Sequence, residues 1–371
     1  MDSERVIVEI DGQHAGDLNP DVIRVEVELD EELAAMFRIE LSMQLGPDGS
    51  WSHLDDDRLT PWRRVVIHAG FEDGTEPLIS GYVTHVHSTF DRDLARCRLE
   101  LWGMDGTALM DREEQLLAWP GRKDSDIAEE ILSKYGFTPK VQDTAVIHDA
   151  SASTIVQRET DMQFLRRLAL RNGFECFVDG KLAYFRAPLA AEAVQPLLAV
   201  HFGPETNVNW FTVQVDARSP SEIGMFQLHR TDKQVVTSLV EASLQPALGE
   251  KQAAGLRPTG IPRARAYVGM NATTGATEMD SLCQSLFHRA EWFVTGEGLI
   301  DGNHYGSILR PRRPVTIKGV GETHSGVYYV THVTHTIDTG GYTQRFQVKR
   351  NGLQPKGDED FASVGGLSGG L

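Results

Sequence analysis

The chain is poor in cysteine, positive charge and long apolar runs, and each shortage argues against a class of protein. Its 371 residues include three widely spaced cysteines, too few for a disulfide framework, so we expect a reducing compartment. The net charge of −17 disfavours a general nucleic-acid-binding surface, which must neutralise phosphates. No apolar run approaches the ~20 residues of a membrane span. The N-terminus, MDSERVIVEIDG, lacks the basic flank and apolar core of a secretory signal.

Motifs that carry chemistry are also scarce. The G-x-S-x-G pattern occurs at 366–370 (GLSGG), within the Gly-rich tail and not between a predicted strand and a helix, so we expect no nucleophile elbow. The aspartates at 55–57 lack the spacing and glycine of an EF-hand, which favours a solvated acidic loop. Gly319, Gly321 and Gly326 lie between two predicted strands, so we expect no helix N-terminus there for a phosphate.

Two pairs of polar side chains have both a functional and a structural interpretation. His85 and His87 lie two residues apart on a predicted strand and could share a metal, but no cluster completes the three or four ligands required. Glu159 and Asp161 could be glycosidase carboxylates, but they flank a predicted helix start, where carboxylates favour the helix dipole. We therefore predict no catalytic, cofactor-binding or metal-binding residues, and no cofactor.

The most informative feature that is present is a repeated segment. Residues 81–91 (GYVTHVHSTFD) and 328–338 (YYVTHVTHTID) are identical at seven of eleven positions. Similar strand-like runs precede them, RRVVIHAG at 63–70 and RPVTIKGVG at 313–321. Identity with ordered flanks on both sides favours duplication of one structural unit over chance.

Alternation of apolar and polar residues predicts the other strands of each copy. It occurs at 23–29 and 37–43 in the first half and at 211–215 in the second, as in strands with one buried face. Short antiparallel strands with polar turns suit a small barrel or sandwich in each half. Our alignment pairs Met36 with Met225, Phe37 with Phe226, Ile39 with Leu228, Leu99 with Phe346 and Leu101 with Val348.

The region between the copies predicts two helices and a hairpin. The first helix, near 125–135, would be capped by Asp124 or Ser125. The second, near 161–172, would begin with a capping box of Thr160 and Gln163. A hairpin at 174–185 follows, around an Asp-Gly turn.

At this point the sequence resembles a known family. Residues 158–185, RETDMQFLRRLALRNGFECFVDGKLAYF, resemble the E-S/T-D-x-x-F-L-x-R-L-A and hairpin segment of phage late control D proteins and VgrG-type spike proteins. Residues 290–338 resemble the second-barrel region of that family. The resemblance covers roughly 20–352, and its motifs are structural rather than catalytic.

The resemblance implies the fold of a T4-type baseplate hub: mainly β with α+β insertions, as two tandem tube-like antiparallel β-barrels plus a small helix-hairpin domain. We expect an insertion in the second barrel near 231–312, with a helix at 278–292 opened by Thr277. The predicted parts are a first barrel at 1–112, a connecting domain at 113–200, a second barrel at 201–352 and a flexible Gly-rich tail at 353–371.

The implied function is that of a non-enzymatic hub in a contractile tail or contractile injection system. Three chains with two barrels each would imitate a sixfold ring, and open sheet edges would pair across subunits. Expected partners are two further copies of the chain, a tail-tube or tube-initiator ring and baseplate components. The chain ends at 371 without a visible spike repeat, so we expect the spike to be a separate chain.

We expect no specific binding of nucleic acid or membrane, and assembly in the bacterial cytoplasm before incorporation into the particle. Two other functions stay open at this point. One is a tail-associated peptidoglycan hydrolase, which would use a carboxylate such as Glu159. The other is the tail-tip hub of a non-contractile phage.

Overall fold

Antiparallel strands dominate the computed structural model, which describes residues 5–71, 74–148, 154–219, 221–228, 233–269, 273, 275–359 and 361. One 13-stranded sheet runs through both halves of the chain, and three small sheets lie beside it. Among the described residues, no helix is long and apolar enough to cross a membrane.

The first half of the large sheet contains seven antiparallel strands in the order β3-β4-β7-β6-β5-β1-β2. Each longer strand buries one row of alternating side chains, and Val27, Ile67 and Leu101 are fully buried in the first core. The strands are β1 Arg5–Ile10, β2 Gln13–His14, β3 Val22–Asp30, β4 Met36–Ser42, β5 Arg64–Phe71, β6 Gly74–Thr89 and β7 Arg98–Asp105.

The connecting region consists of two helices and several short strands. Its elements are β8 Leu117–Trp119, α1 Asp124–Lys134, β9 Thr138–Val141, β10 Ile155–Gln157, α2 Asp161–Asn172, β11 Glu175–Asp179, β12 Leu182–Arg186 and β13 Gln195–Ala199. The Thr160 side chain accepts a hydrogen bond from the Gln163 amide at 3.3 Å, as the predicted cap of α2 requires. The predicted cap of α1 is wrong, because Lys123 precedes that helix without a side-chain cap and the Asp124 carboxylate binds Arg171 instead.

The second half begins with β14 and returns to the large sheet at β18. Its elements are β14 Val208–Val215, β15 Glu222–Leu228, β16 Val235–Val240, α3 Ala253–Leu256, β17 Arg265–Val268, α4 Ala276–Ala290, β18 Val294–Asp301, α5 Gly302–Tyr305, β19 Pro314–Lys318, α6 Gly321–His324, β20 Gly326–Asp338 and β21 Gly341–Arg350. The order in the sheet is β14-β18-β21-β20, with β19 on part of β20 and β13 on β19.

Between β14 and β18, strands β15 to β17 and helix α4 form a separate layer. Strands β16, β15 and β17 make their own sheet, and α4 packs on it through Met279, Leu282 and Phe287. Helix α4 starts after Gly275, so Thr277 lies inside the helix and the predicted Thr277 cap is wrong. The predicted insertion bounds, 231–312, include β18, which belongs to the large sheet.

The two halves repeat each other down to their irregularities. The pairing of β6 with β7 shifts between Val83 and His85, and that of β20 with β21 shifts between Val330 and His332. The pairs β3–β4 and β14–β18 also share a shift near their first residues. Bulges at matching places are structural details that a general likeness between β proteins does not produce.

A strained residue is repeated as well. Trp62 and Arg312 both adopt positive φ, at 70° and 62°, although neither is glycine. Their amides donate to the carbonyls of Val83 and Val330, at 2.7 and 2.8 Å. The internal duplication inferred from the repeated segment is therefore visible in the backbone.

Strand pairing corrects the predicted alignment of the halves. Both β4 and β18 pair with the strand that follows the repeat, so β18 and not β15 is the counterpart of β4. Val86 pairs with Leu101 and Val333 pairs with Phe346, so Leu101 corresponds to Phe346 and our alignment was wrong by two residues there.

Glycines explain why β18 escaped the alternation search. Gly296 and Gly298 lie where β4 has Phe37 and Ile39. A Cβ on Gly298 would lie 2.6 Å from the Phe346 ring, so an aromatic ring from the neighbouring strand fills the space that a side chain would need.

The predicted tail is only partly within the described residues. Leu353 is buried and its amide donates to the Lys251 carbonyl at 2.8 Å, so this residue belongs to the folded part. Residues 360 and 362–371 lie outside the described residues.

Candidate subunit interface

Within one chain, the two halves are joined edge to edge. Strand β20 pairs antiparallel with β3, from His332 opposite Asp30 to Asp338 opposite Arg24. The core-facing residues of this junction include Val333, which is fully buried, and Leu29, which is 7% exposed. The junction therefore makes one continuous sheet of two barrel-like halves.

A histidine–aspartate pair closes one end of the junction. Nδ1 of His332 lies 3.0 Å from Oδ2 of Asp30, and Oδ1 of Asp30 accepts hydrogen bonds from the amides of Glu32 and Leu33 at 2.8 Å each. Burial alone would raise the pKa of Asp30, but these three hydrogen bonds together lower that pKa to about 2.

Further contacts cross the junction just beyond this pair. The Arg312 guanidinium donates to the carbonyl oxygens of Asp30 and Glu31. Nζ of Lys349 lies 2.6 Å from a Glu31 carboxylate oxygen, and the Glu31 amide donates to the Thr331 carbonyl at 2.8 Å. The turn after β3 is thus held against the second half of the chain.

The duplication predicts a second strand junction like that between β20 and β3. Both strands of this second junction are present, but each has an edge with no neighbouring strand in the described part of the chain. The counterpart of β20 is β6, and the counterpart of β3 is β14. Within the described residues, the part of β6 after Val83 pairs with β7 alone, and β14 pairs with β18 alone. Each chain therefore has one β6 edge and one β14 edge that lack the strand their counterparts have.

Apolar side chains on the open edges are more exposed to solvent than their counterparts in the closed junction. Val86 is 36% exposed, whereas its counterpart Val333 is 0% exposed. Val215 is 41% exposed, whereas its counterpart Leu29 is 7% exposed. Phe90, which extends the β6 edge, is 54% exposed. Apolar side chains at an open strand edge indicate that another strand covers them.

The polar pair at the end of the junction is also duplicated, with its members on opposite open edges. His85 corresponds to His332, and Asp216 corresponds to Asp30. Asp216 follows β14 and accepts the Arg218 amide at 2.9 Å, as Asp30 accepts the Glu32 amide. The Arg218 side chain also binds the Asp216 carboxylate, and it lowers the pKa of Asp216 to about 2.

In the sequence, His85 stands out as part of the repeated segment, whereas nothing near Asp216 marks it as a partner of that histidine. The available signal was the resemblance of VELDEEL at 27–33 to VQVDARS at 213–219, in which an aspartate ends each strand. An aspartate after a strand is common, because its side chain caps the following turn. Only the paired register of the two halves gives this residue a counterpart and a partner.

The histidines considered as metal ligands are placed on the open edge instead. His85 Nδ1 lies 3.1 Å from the Thr84 hydroxyl, and His87 Nδ1 lies 3.7 Å from a Glu100 carboxylate oxygen. In the part of the chain that the structure describes, no group of three or more His, Cys, Asp or Glu side chains is arranged to hold a metal ion.

The carboxylates considered for catalysis bind structural partners. Glu159 lies 2.6 Å from the Arg167 guanidinium. Asp161 accepts hydrogen bonds from Lys134 and Tyr135, both at 2.8 Å, and from Gln157. Burial opposes ionisation of Asp161, but these hydrogen bonds outweigh it and lower the pKa of its carboxyl.

The acidic and glycine-rich segments also have local roles. In the acidic segment, the Asp56 carboxylate binds Arg58 at 2.7 Å and accepts the Arg58 amide. The glycine-rich segment corrects one expectation, because α6 begins at Gly321, where we expected no helix N-terminus. This helix has four residues, a single turn that adds little dipole.

Comparison with solved structures identifies the fold. The 43 kDa tail protein of prophage MuSo2 from Shewanella oneidensis superposes with a TM-score of 0.70 at 14% identity, covering 94% of this chain and 99% of that one. A tail protein from Neisseria meningitidis MC58 gives 0.66 at 13% identity, covering 94% and 97%. These likenesses confirm the mainly β fold and the predicted resemblance to tail hub proteins.

A type VI secretion protein has the same fold. The E. coli c3393 protein, described as a component of that system with structural similarity to the T4 tail proteins gp27 and gp5, superposes with a TM-score of 0.53 at 13% identity, covering 93% of this chain and 76% of that one. Among curated proteins, none matches this sequence. A family model described as the Alg8 N-terminal domain matches residues 2–339, so the chain belongs to the Alg8 N-terminal domain family.

Proposed function

We propose that this chain is the structural hub of a contractile tail or contractile injection system baseplate, and that it works as a trimer. The observation that carries the proposal is the pair of open edges on β6 and β14, whose counterparts β20 and β3 already pair inside the chain. A second copy of the chain can supply at each open edge the strand that is missing there.

The two open edges differ, so the contact between copies is head to tail. Such contacts form a closed ring when the rotation between copies completes a circle. Three chains give six barrel units with alternating in-chain and between-chain junctions. The likeness in fold to tail and type VI proteins supports this number, because a tail tube is built of sixfold rings.

The same ring has threefold symmetry outside the barrel units. The connecting region and the layer from β15 to α4 occur once per chain, so three copies of each surround six near-equivalent units. We propose that the sixfold aspect binds the tail tube or tube-initiator ring and that the threefold aspect binds a separate central spike. The domain division at 1–112, 113–200 and 201–352 is part of this proposal.

We also propose that the role of the chain is non-enzymatic. The hydrolase alternative would need a free carboxylate such as Glu159, and that group is bound to Arg167. We propose that the chain acts by binding other baseplate components, without specific binding of nucleic acid or membrane, and that it assembles in the bacterial cytoplasm.

Light scattering on the purified full chain tests the proposal. We expect a particle with three times the 41.1 kDa mass of the chain. The same sample should not clear a peptidoglycan gel. A monomer at every concentration would overturn the trimer, and clearing that disappears in Glu159→Gln would establish the hydrolase instead.

A further inference from the structure

We propose that neighbouring chains join by antiparallel pairing of β6 from one chain with β14 from the next, in the register of the in-chain junction between β20 and β3. This inference rests on the proposed trimer and names the partner of the two open edges as a second copy of the chain. It also assigns a new hydrogen-bonded pair, His85 with Asp216, to the contact between chains.

The duplication fixes the register between β6 and β14. In the in-chain junction, His332 lies opposite Asp30 and Val333 lies opposite Leu29. Each of these residues has one counterpart on an open edge, fixed by the matching strand pairs and bulges. The predicted pairs between chains are His85 with Asp216, Val86 with Val215, His87 with Gln214, Ser88 with Val213, Thr89 with Thr212, Phe90 with Phe211 and Asp91 with Trp210.

This register places apolar residues on one face of the new ladder. Val86 and Phe90 would lie opposite Val215 and Phe211, and the Phe211 ring already packs against the second core. A slip by one residue would turn Val86 towards the polar face, because side chains alternate along a strand. The apolar face of the ladder therefore favours this register over a slip by one residue.

The polar face of the ladder is compatible with the same register. His87 and Thr89 would lie opposite Gln214 and Thr212, so no two like charges are directly opposed. In the in-chain junction, the corresponding positions pair threonines of β20 with glutamates of β3.

The Asp216 carboxylate can accept a hydrogen bond from His85 while Arg218 remains in place. In the in-chain junction, one oxygen of Asp30 accepts two amides while the other binds His332. A carboxylate offers about four acceptor positions, so the bonds that Arg218 makes to Asp216 leave room for an imidazole.

Cysteine cross-linking of the full chain tests the register. Val86→Cys with Val215→Cys places the two thiols directly opposite each other in neighbouring chains. We expect oxidation to link these chains into covalent dimers and trimers on a non-reducing gel. The control is Val86→Cys with Val213→Cys, which lies on the same face but two residues away. Its yield should be at least about tenfold lower, because diagonal neighbours lie beyond disulfide reach.

The outcomes separate the register from the proposed function. Trimers by light scattering that fail to cross-link at Val86 and Val215, or that link equally well through the control pair, would overturn the register and leave the hub intact. A chain that stays monomeric would overturn both. Each single cysteine variant should form no linked trimer, since the native thiols Cys97, Cys176 and Cys283 are buried.

An exchange of side chains tests the pair of His85 with Asp216 by an independent measurement. His85→Asp puts two carboxylates opposite each other, and we expect the concentration at which trimers dissociate to rise about tenfold, because like charges directly opposite each other are destabilising. Adding Asp216→His should restore the original value. His87→Asp is the matched control, because it would face Gln214. Equal weakening by His85→Asp and His87→Asp, without rescue, would contradict the assigned pair.

Discussion

Val333 and Val86 occupy the same position in the two halves of the chain, yet they should respond differently to truncation. Val333 is fully buried between β20, β21 and β3, whereas Val86 is 36% exposed on the open edge of β6. The duplication thus supplies two substitutions with the same local backbone, the same residue types and different burial. Their comparison isolates the effect of the missing strand.

The expected magnitudes follow from burial. Val333→Ala removes two methyl groups from a packed core, which costs about 1.6 kcal/mol in transfer free energy at ~0.8 per group. The cavity that remains adds to this, so we expect a total loss of about 2–3 kcal/mol in the free energy of unfolding. Val86→Ala removes the same groups from a site that water already reaches, so we expect a loss of about 1 kcal/mol or less.

The assay is urea unfolding followed by circular dichroism, at a protein concentration low enough that monomers predominate. The informative quantity is the difference between the two variants, because a chain with several domains need not unfold in one step. In the assembled ring the difference should shrink, because the neighbouring chain would bury Val86. Equal losses for both variants in the monomer would refute the claim that the β6 edge is open and the β20 edge closed.

Three further predictions concern the fold itself. Burial raises the pKa of the Glu175 carboxyl to about 7, against an ordinary value of 4.5, so the folded chain binds this proton more tightly than the unfolded chain does. The stabilisation is therefore present below pH 4.5 and is lost as the pH rises through 7. The urea midpoint of the wild type should fall between pH 5 and 8, and Glu175→Gln should abolish this fall. If the midpoint of the variant falls with pH as steeply as that of the wild type, Glu175 is not the group responsible. Gly298→Ala should destabilise the second half by about 1–3 kcal/mol, because the new Cβ would lie 2.6 Å from the Phe346 ring. If the variant melts at the same temperature as the wild type or higher, the Phe346 ring can move aside. Thr160→Ala should cost about 1 kcal/mol through loss of the α2 cap, whereas Thr277→Ala inside α4 should cost less, and the order of their melting temperatures checks this.

Local patterns in the sequence predicted the elements that depend only on residues close together in the chain. The Thr160 side-chain cap, the Asp-Gly hairpin and the repeated YVTHV strand are all present in the structure, because each depends on residues near one another in the chain. Strand β18 failed as a prediction for the opposite reason. Its Gly296 and Gly298 are accommodated by rings from other strands, so its own sequence carries little alternation.

The interface required information that no single segment contains. His85 and Asp216 are 131 positions apart, and nothing in either segment indicates that their strands lack a partner. That knowledge comes from the pairing of β20 with β3, which leaves β6 and β14 as the unmatched members of the duplicated set. Periodicity predicts which face of a strand is buried, but the closure of an edge is a property of the whole sheet.

An electron cryomicroscopy map of the assembled full chain measures the central claim most directly. We expect six strand junctions around one ring, three within chains between β20 and β3 and three between chains between β6 and β14, with His85 adjacent to Asp216 at each of the latter. A ring whose chains meet through other surfaces while the β6 and β14 edges face solvent would contradict the account.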